Sequence, residues 1–210
     1  GQEMSNVKIT KENLRQLFKK KKNILVQENI NHKKIARLIN KGEIIAVARG
    51  REEFGARALG NRSIIANPSV DGIIQKINEQ IKNRDFWMPF ALSILDKKHK
   101  DFIKNDKNII SDFMTIGFDT KINGYEKIKN GTHPYDKTVR PQILRRNFNP
   151  QYYSIIEEFY KISKIPAVLN TSLNLHGQPI SSKLEDVIHT FNNSELKYLY
   201  LNDNYLITKA

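Results

Sequence analysis

The sequence predicts an α/β domain in which a mixed β-sheet is flanked by α-helices. Two kinds of segment occur along the 210 residues: short apolar runs, which are typical of buried strands, and longer stretches with helical spacing. They do not follow one another in strict strand–helix–strand order, which favours a sheet with both parallel and antiparallel pairs. A hydrophobic fraction of 39% is sufficient for one domain with an apolar core.

The first part of the chain predicts two helices and one strand. Apolar residues recur at helical spacing over 35–39, and a strand-like run follows over 43–48. The next stretch, 50–63, is rich in glycine and arginine and predicts neither a helix nor a strand. One apolar helical face recurs over 71–82, which predicts an amphipathic helix. The polar stretch 96–131, punctuated by glycines, predicts loops and short strands.

The rest of the chain predicts two helices, a strand and a hairpin. The dipeptide at 149–150, Asn-Pro, favours a helix start because asparagine can cap a helix and proline is tolerated at its first position. A strand is predicted over 166–169. Ser182 and Glu185 have the spacing of a capping box ahead of a second amphipathic stretch. Residues 198–208 predict a hairpin with a turn of Asn and Asp residues.

Composition narrows the class of partner. The chain has 35 Lys and Arg residues against 22 Asp and Glu, a formal charge of +13, so it should attract nucleic acid, acidic membrane or phosphorylated small molecules. It has no cysteine, which fits a reducing compartment, and no apolar run long enough for a membrane span. We therefore expect a cytoplasmic protein with no membrane partner. The five histidines lack the spacing of a metal motif, and we predict no metal site.

The amino-terminal end differs from the rest in being lysine-rich, and it includes a run of four lysines at 19–22. Such a run is typical of a solvated segment. We therefore divide the chain into a lysine-rich lead-in, 1–32, and one domain, 33–210. Because Gly1 is followed by a first methionine only at Met4, we expect the chain to be part of a longer polypeptide.

A cluster of arginines and glycines predicts an anion-binding loop. It lies within fourteen residues and comprises Arg49, Arg51, Arg57 and Arg62, with Gly50, Gly55 and Gly60 between them. Glycines let backbone amides approach a ligand, and guanidinium groups match phosphate oxygens in pairs. The alternative is a solvated loop in which Glu52 and Glu53 neutralise some of the arginines. A P-loop is excluded, because the loop lacks its Gly-Lys-Ser/Thr end.

Three other segments are candidate sites. Lys82 and Arg84 can meet one anion if the helix stops between them, although an ordinary basic helix end is the alternative. The polar stretch 170–178 follows a predicted strand and can hydrogen-bond a phosphate, a ribose or a carbamoyl group, although it can equally be a turn. No Gly-x-Ser-x-Gly motif surrounds its serine, which disfavours an acyl-enzyme. In the third segment, alternate residues share a face if the chain is extended: Asp136, Thr138, Arg140 and Gln142.

These segments together resemble the carboxy-terminal domain of O-carbamoyltransferases of the NodU type. The longest match is 50–64, with the block Arg-Ala-Leu-Gly-Asn-Arg-Ser at 57–63. The matches continue in chain order through the remaining motifs and cover the sequence roughly from Ile35 to its carboxyl end. Four positions depart from the family pattern: Ala56 and Leu92, where proline is usual, and Met88 and His176, where arginine is usual.

The resemblance implies a YrdC-like α/β domain with a cleft for carbamoyl phosphate and ATP. The implied catalytic residues are Lys82, Arg84, Ser172 and Asn174. Those implied to bind substrate or nucleotide are Arg51, Arg57, Arg62, Arg140, Asn170, Thr171 and His176. We expect these residues to converge on one cleft.

In the family this cleft forms carbamoyladenylate from carbamoyl phosphate and ATP, with Mg²⁺ accompanying the nucleotide. The product passes to an amino-terminal domain of the same polypeptide, where iron or another metal assists transfer to an acceptor hydroxyl. Residues 1–32 are then the linker to that domain. The alternative is a YrdC-type module for RNA binding or tRNA threonylcarbamoylation, which the charge of +13 favours. The block at 57–63 argues against it, so nucleic acid is not the expected partner.

Overall fold

A computed structural model describes residues 9–18, 23–82 and 90–209, apart from the side chain of Lys82. In chain order its helices and strands are α1 (Lys11–Leu17), β1 (Ile24–Gln27), α2 (His32–Asn40), β2 (Ile45–Ala48), β3 (Arg62–Ala66), α3 (Ile73–Ile77), β4 (Ala91–Leu95), β5 (Phe118–Asp119), α4 (Ile122–Ile128), β6 (Thr138–Val139), β7 (Gln142–Leu144), α5 (Pro150–Ser163), β8 (Ala167–Ser172), α6 (Leu184–Asn192), β9 (Tyr198–Leu201) and β10 (Tyr205–Lys209). A π-helical turn, Asn78–Lys82, continues α3.

The main sheet has eight strands in the order β1-β10-β9-β2-β3-β8-β4-β7. The pairs β2–β9 and β4–β7 are parallel, and the other pairs are antiparallel. Every residue of β2 and β3 is buried, because both faces of the sheet are covered at its centre. The predicted mixed sheet flanked by helices is confirmed. A separate two-stranded sheet pairs β5 with β6.

Helix α5 begins as the sequence predicts. The side chain of Asn149 accepts a hydrogen bond from the backbone N–H of Tyr152, and proline occupies the first turn. The buried face of α5 packs against α2, whose cap is the side chain of Asn31. These two helices form one layer of the core.

The cap of α6 differs from the prediction by one residue. The carboxylate of Asp186, not that of Glu185, accepts the backbone N–H groups of Ser182 and Lys183, at 3.1 and 2.9 Å. The reason is that the cap position falls on Lys183, which places the third helical residue at Asp186. The helix itself and the hairpin β9–β10 are confirmed.

The lysine-rich lead-in contributes to the fold where it is described. Strand β1 pairs with β10 at one edge of the sheet, in the register Ile24 to Lys209. Leu14 of α1 is fully buried in the core. These parts of the segment 1–32 therefore belong to the sheet and core of the domain.

Several short elements were not predicted. The stretch 50–63 ends in β3, and 96–131 contains α4. Strand β8 continues to Ser172, three residues beyond the predicted end, because β3 pairs with it up to that residue. Among the described residues, no helix has the length and apolar character that crossing a membrane requires.

Candidate functional site

A cavity of about 520 Å³ opens at the carboxyl end of β8. Its walls come from the loop before β3, the start of β4, the segment around β6 and the end of β8. The lining residues are Ala56, Arg57, Ala58, Phe90, Ala91, Met114, Gly131, His133, Asp136, Thr138, Arg140, Asn170, Thr171 and Ser172. This volume lies within the range of small-molecule sites, roughly 300 to 1,000 Å³.

Two guanidinium groups give the cavity a positive charge. Arg57 comes from the loop between β2 and β3, and Arg140 directly follows β6. Both side chains are exposed, and neither forms an ion pair or hydrogen bond with another residue that the structure describes. Asp136 is the single carboxylate among the lining residues. The cavity is therefore suited to an anion with several oxygens.

Polar side chains at the end of β8 form another part of the lining. Ser172 is the last residue of this strand, and its Oγ donates a hydrogen bond to Asn174 Oδ1 at 2.5 Å. Asn174 Nδ2 donates to the carbonyls of Leu175 and Gln178, at 3.0 and 2.6 Å. These bonds fix the amide, so Asn174 orients the Ser172 hydroxyl without itself lining the cavity. Thr171 lines the cavity beside Ser172.

A buried polar network connects the sheet to the loop that carries Arg57. Asn170 Nδ2 donates to the carbonyl of Ala58 at 3.0 Å and to Ser93 Oγ at 2.9 Å. Ser93 Oγ donates to Gln142 Oε1 at 2.7 Å, and Gln142 Nε2 donates to the carbonyl of Leu59 at 3.3 Å. Three neighbouring strands, β8, β4 and β7, thus hold the backbone at 58–59. Asn170 is both a lining residue and part of this support.

Arg62 does not line the cavity. It is fully buried, and its guanidinium donates to the carbonyls of Arg49 (2.5 Å), Gly50 (3.2 Å), Asn61 (3.0 Å) and Ser182 (3.1 Å). Burial lowers the pKa of Arg62, and the nearby carboxylates oppose this effect. Arg62 therefore supports the loop from inside and is not brought to the cavity.

The remaining arginines of the cluster, and His176, do not line the cavity either. Arg49 is buried, with its Nη1 2.8 Å from Asp203 Oδ1, and burial lowers its pKa against the attraction of that carboxylate. Arg51 and His176 are exposed, and neither lines the cavity. The four arginines of the cluster look equivalent in the sequence, but Arg49 and Arg62 are buried whereas Arg51 and Arg57 are exposed.

The predicted pair of Lys82 and Arg84 cannot be placed. Lys82 ends the π-helical turn, but its side chain and the whole of Arg84 lie outside the described residues. Phe90, the first described residue after them, is buried and lines the cavity. The structure thus brings together Arg57, Arg140, Asn170, Thr171 and Ser172 from the predicted set.

His133 is a lining residue that the sequence analysis did not single out. Its Nδ1 lies 3.3 Å from Asp136 Oδ1. Asp136 accepts hydrogen bonds from the backbone N–H and the hydroxyl of Thr138, at 2.8 and 2.7 Å, and these bonds lower the pKa of its carboxyl. The signal in the sequence is the three-residue spacing of His133 and Asp136, which is not the spacing of a metal motif.

Met114 is a second unpredicted lining residue. It is buried and has a φ of 58°, which is unusual for a residue other than glycine. No sequence pattern indicates it.

In the described part of the chain, no group of three or more side chains that could hold a metal ion occurs.

Comparison with known proteins identifies relatives of this chain. It is 40% identical to protein MJ1051 of Methanocaldococcus jannaschii, over 100% of this chain and 40% of that protein. It is 35% identical to the nodulation protein NolNO of Sinorhizobium fredii, over 83% and 25%. It is 28% identical to the 3'-hydroxymethylcephem-O-carbamoyltransferase of Amycolatopsis lactamdurans, over 76% and 29%. The chain therefore spans 40% or less of the length of these relatives.

Solved structures show the same fold. HypF in its phosphate- and nucleotide-bound form superposes with a TM-score of 0.60 at 18% identity, over 83% of this chain and 25% of that one. Sua5 of P. abyssi complexed with L-threonine superposes with a TM-score of 0.57 at 14% identity, over 81% and 46%. The fold is thus YrdC-like, as the sequence predicts. The family model described as the carbamoyltransferase C-terminus matches residues 36–209, and the chain therefore belongs to the family of carbamoyltransferase carboxy-terminal domains.

Proposed function

We propose that this chain activates a carbamoyl group by forming carbamoyladenylate from carbamoyl phosphate and ATP. The observation that carries the proposal is that Arg57, Arg140 and Ser172 line one cavity. Both substrates carry phosphate groups, and bidentate guanidinium contacts suit their oxygens. The phosphate- and nucleotide-bound form of HypF, which has the same fold, supports the assignment.

The chemistry at this site depends mainly on positioning. Arg57 and Arg140 bind phosphate oxygens and stabilise the negative charge that moves during transfer. The hydroxyls of Thr171 and Ser172 hydrogen-bond the polar carbamoyl or phosphate group, with Ser172 oriented by Asn174. Lys82 and Arg84 remain proposed catalytic residues on the strength of the family motif.

Mg²⁺ would accompany the nucleotide. Magnesium is held in proteins by one or two carboxylates together with substrate phosphates, and Asp136 is the carboxylate that the cavity offers. The residues present therefore fit a metal held chiefly by the phosphates of ATP. The metal would neutralise phosphate charge beside the two arginines.

Transfer to an acceptor hydroxyl is assigned to another part of a longer protein. The support is the length of the relatives, of which this chain spans 40% or less. We place iron or another metal on that amino-terminal part. Residues 1–32 lead to it, with α1 and β1 packed against the activating domain, 33–210. The absence of cysteine fits a cytoplasmic setting.

Two measurements test the proposal. Calorimetric titration should show saturable binding of ATP. Carbamoyl phosphate would lose its phosphate by hydrolysis, and the resulting carbamate would attack the α-phosphate of ATP. Turnover should therefore release inorganic phosphate from carbamoyl phosphate and pyrophosphate from ATP, and the release of pyrophosphate should depend on carbamoyl phosphate. Without ATP binding or pyrophosphate release the proposal fails. Affinity for bulk RNA that falls steeply with salt would then favour the alternative, a YrdC-type module for RNA binding or tRNA threonylcarbamoylation.

A further inference from the structure

We propose that Glu53 is a positioning residue that holds the loop between β2 and β3 in the conformation that presents Arg57 to the cavity. The ligand side of this inference rests on the proposed function. Glu53 does not line the cavity, so it acts through the loop and not through contact with substrate.

One carboxylate oxygen of Glu53 closes the loop on itself. Oε1 accepts the backbone N–H groups of Leu59, Asn61 and Arg62, at 2.8, 2.7 and 3.1 Å. Hydrogen bonds to a charged acceptor are about twice as strong as bonds between neutral groups. The three bonds join the start of the loop to its end across six to nine positions. A neutral side chain at this position cannot replace them fully.

The surroundings of Glu53 compensate for its burial. Its Oε2 is buried and has no hydrogen-bond partner in the described structure. A partly desolvated carboxylate is costly unless positive charge lies nearby. The buried guanidinium groups of Arg62 and Arg49 supply that charge, since Glu53 acts electrostatically on both. The carboxylate is thus part of the interior and not a solvated counter-ion.

We call Glu53 and its three bonds to the backbone at 59–62 the clamp. The segment between the two ends of this clamp carries Arg57. Residues 54–57 are exposed, with Phe54 98% exposed at the tip. Arg57 has no partner among the described residues, so no contact holds its guanidinium and the backbone of the loop decides from where the side chain reaches into the cavity. Gly55 and Gly60 have φ values of 118° and 112°, which allows the chain to turn there. Loss of the Glu53 bonds should therefore free Arg57 to leave the cavity.

A double-mutant cycle tests this coupling by titrating ATP into the chain. A charge-assisted contact to a ligand accounts for about 10- to 100-fold in affinity, and Arg57→Ala should weaken ATP binding within that range. Glu53→Gln should weaken it about tenfold. It should also lower the melting temperature, because the buried guanidinium groups of Arg49 and Arg62 lose a nearby carboxylate. In the double variant the affinity should equal that of Arg57→Ala alone, because Glu53 acts through Arg57. Additive losses, or an unchanged affinity in Glu53→Gln, overturn the inference.

Glu52→Gln is the matched control. It removes the same charge one residue away, and glutamine can still accept the single hydrogen bond from Ser182 Oγ, now 2.6 Å from Glu52 Oε2. Its ATP affinity should match that of the unmodified chain. If Glu53→Gln does not fold, the cycle is run with Glu53→Asp. The shorter aspartate keeps the charge but cannot reach all three amides, and the same coupling to Arg57→Ala is expected, additivity again being the contrary result.

Hydrogen exchange separates this inference from the proposed function. The amides of Leu59 and Asn61 should exchange at least tenfold faster in Glu53→Gln than in Glu52→Gln, without any ligand. If the unmodified chain binds no ATP, the proposed function fails, while faster exchange would still support the clamp. If the chain binds ATP and exchange is the same in both variants, the clamp is wrong and the proposed function stands.

Discussion

At the scale of single residues, burial decides what each arginine of the cluster does. Arg57 and Arg62 occur in one motif and are of the same type, but Arg57 faces a cavity and Arg62 donates to backbone carbonyls inside the protein. Their functional roles must therefore be tested separately, with stability and ligand affinity measured side by side.

Arg62→Met is expected to destabilise the protein. It would leave the carbonyls of Arg49, Gly50, Asn61 and Ser182 without their donor and remove the positive charge beside Glu53. Breaking a buried ionic arrangement from one side costs about 3 to 5 kcal/mol. Chemical denaturation measures this change. Arg51→Ala, at an exposed position, should change stability by less than about 0.5 kcal/mol. Equal stability of both variants would make Arg62 a ligand-binding residue instead.

Thr138→Val is expected to raise the pKa of Asp136. The backbone N–H and then the hydroxyl of Thr138 lower this pKa in the native protein, and valine removes the hydroxyl. A carboxyl with a lowered native pKa stabilises the folded state above its unfolded pKa, and this contribution is lost as the pH falls through the native pKa. Carbon-13 NMR titration of the Asp136 carboxyl follows the shift.

The control for this titration is Thr120→Val. It removes a hydroxyl that donates to the carbonyl of Lys137 and not to a carboxylate. The pKa of Asp136 should be the same in this variant as in the unmodified protein. A shift of equal size in both variants would mean that the hydroxyl of Thr138 has no specific effect.

Residue types predicted part of the site and could not predict the rest. Arg57, Arg140 and Ser172 were identified because guanidinium and hydroxyl groups suit phosphates and because the family motif includes them. Arg62 has the same chemistry, and only its burial, which the loop conformation determines, separates it from them. Met114 lines the cavity with an apolar side chain and a positive φ, and neither property is indicated by a pattern in the sequence.

At the scale of elements, the loop before β3 packs directly onto helix α5. A Cβ atom on Gly60 would lie 2.2 Å from Cδ1 of Tyr152, the buried residue in the first turn of α5. One of the two would have to move, although both are held in the interior. The conformation of the loop and the position of α5 are therefore linked.

Gly60→Ala should be less stable than Gly55→Ala by about 1 to 3 kcal/mol, the usual cost of overpacking. Both glycines have positive φ, at 112° and 118°, so backbone strain is similar in the two variants. They differ in space, because a Cβ on Gly55 would meet no atom within 4 Å. Denaturant unfolding of the two variants isolates the contact with Tyr152. Equal stabilities would contradict the close packing.

Long amphipathic elements could be predicted and short polar ones could not. Helices α5 and α6 show their buried faces over nine or more residues. Strands β4 and β7 have five and three residues, and each includes a buried polar side chain, Ser93 or Gln142, which interrupts the apolar pattern. Those polar residues are buried because they hydrogen-bond each other across the two strands, a pairing that local sequence does not reveal.

At the scale of the whole molecule, the edge of the sheet depends on the amino-terminal segment. Strand β1 covers β10 by antiparallel pairing, and Leu14 fills part of the core. The sequence did not predict this pairing, because β1 has only four residues and lies in a lysine-rich segment. Its partner strand, β10, is also far away along the chain, so no local pattern indicates the contact.

A chain that begins at residue 33 is expected to be less stable and more prone to associate. Removal of β1 exposes the hydrogen-bonding groups of β10, and an uncovered edge strand invites pairing with another chain. Thermal melting and light scattering measure the two effects. The exposed substitution Arg51→Ala, in the full chain, serves as the unaffected reference. An unchanged melting temperature would make 1–32 a dispensable lead-in, as its composition suggests.

The pairing of β1 with β10 also bears on how the protein is made. Ile24 is synthesised well before Lys209, yet the two are partners in one register. Strand β1 therefore has no β10 partner until β10 has been synthesised. Contacts between distant parts of a chain form slowly, and domains with many of them fold slowly. We expect the sheet to close from its centre outward, with the strand made first being the last to dock.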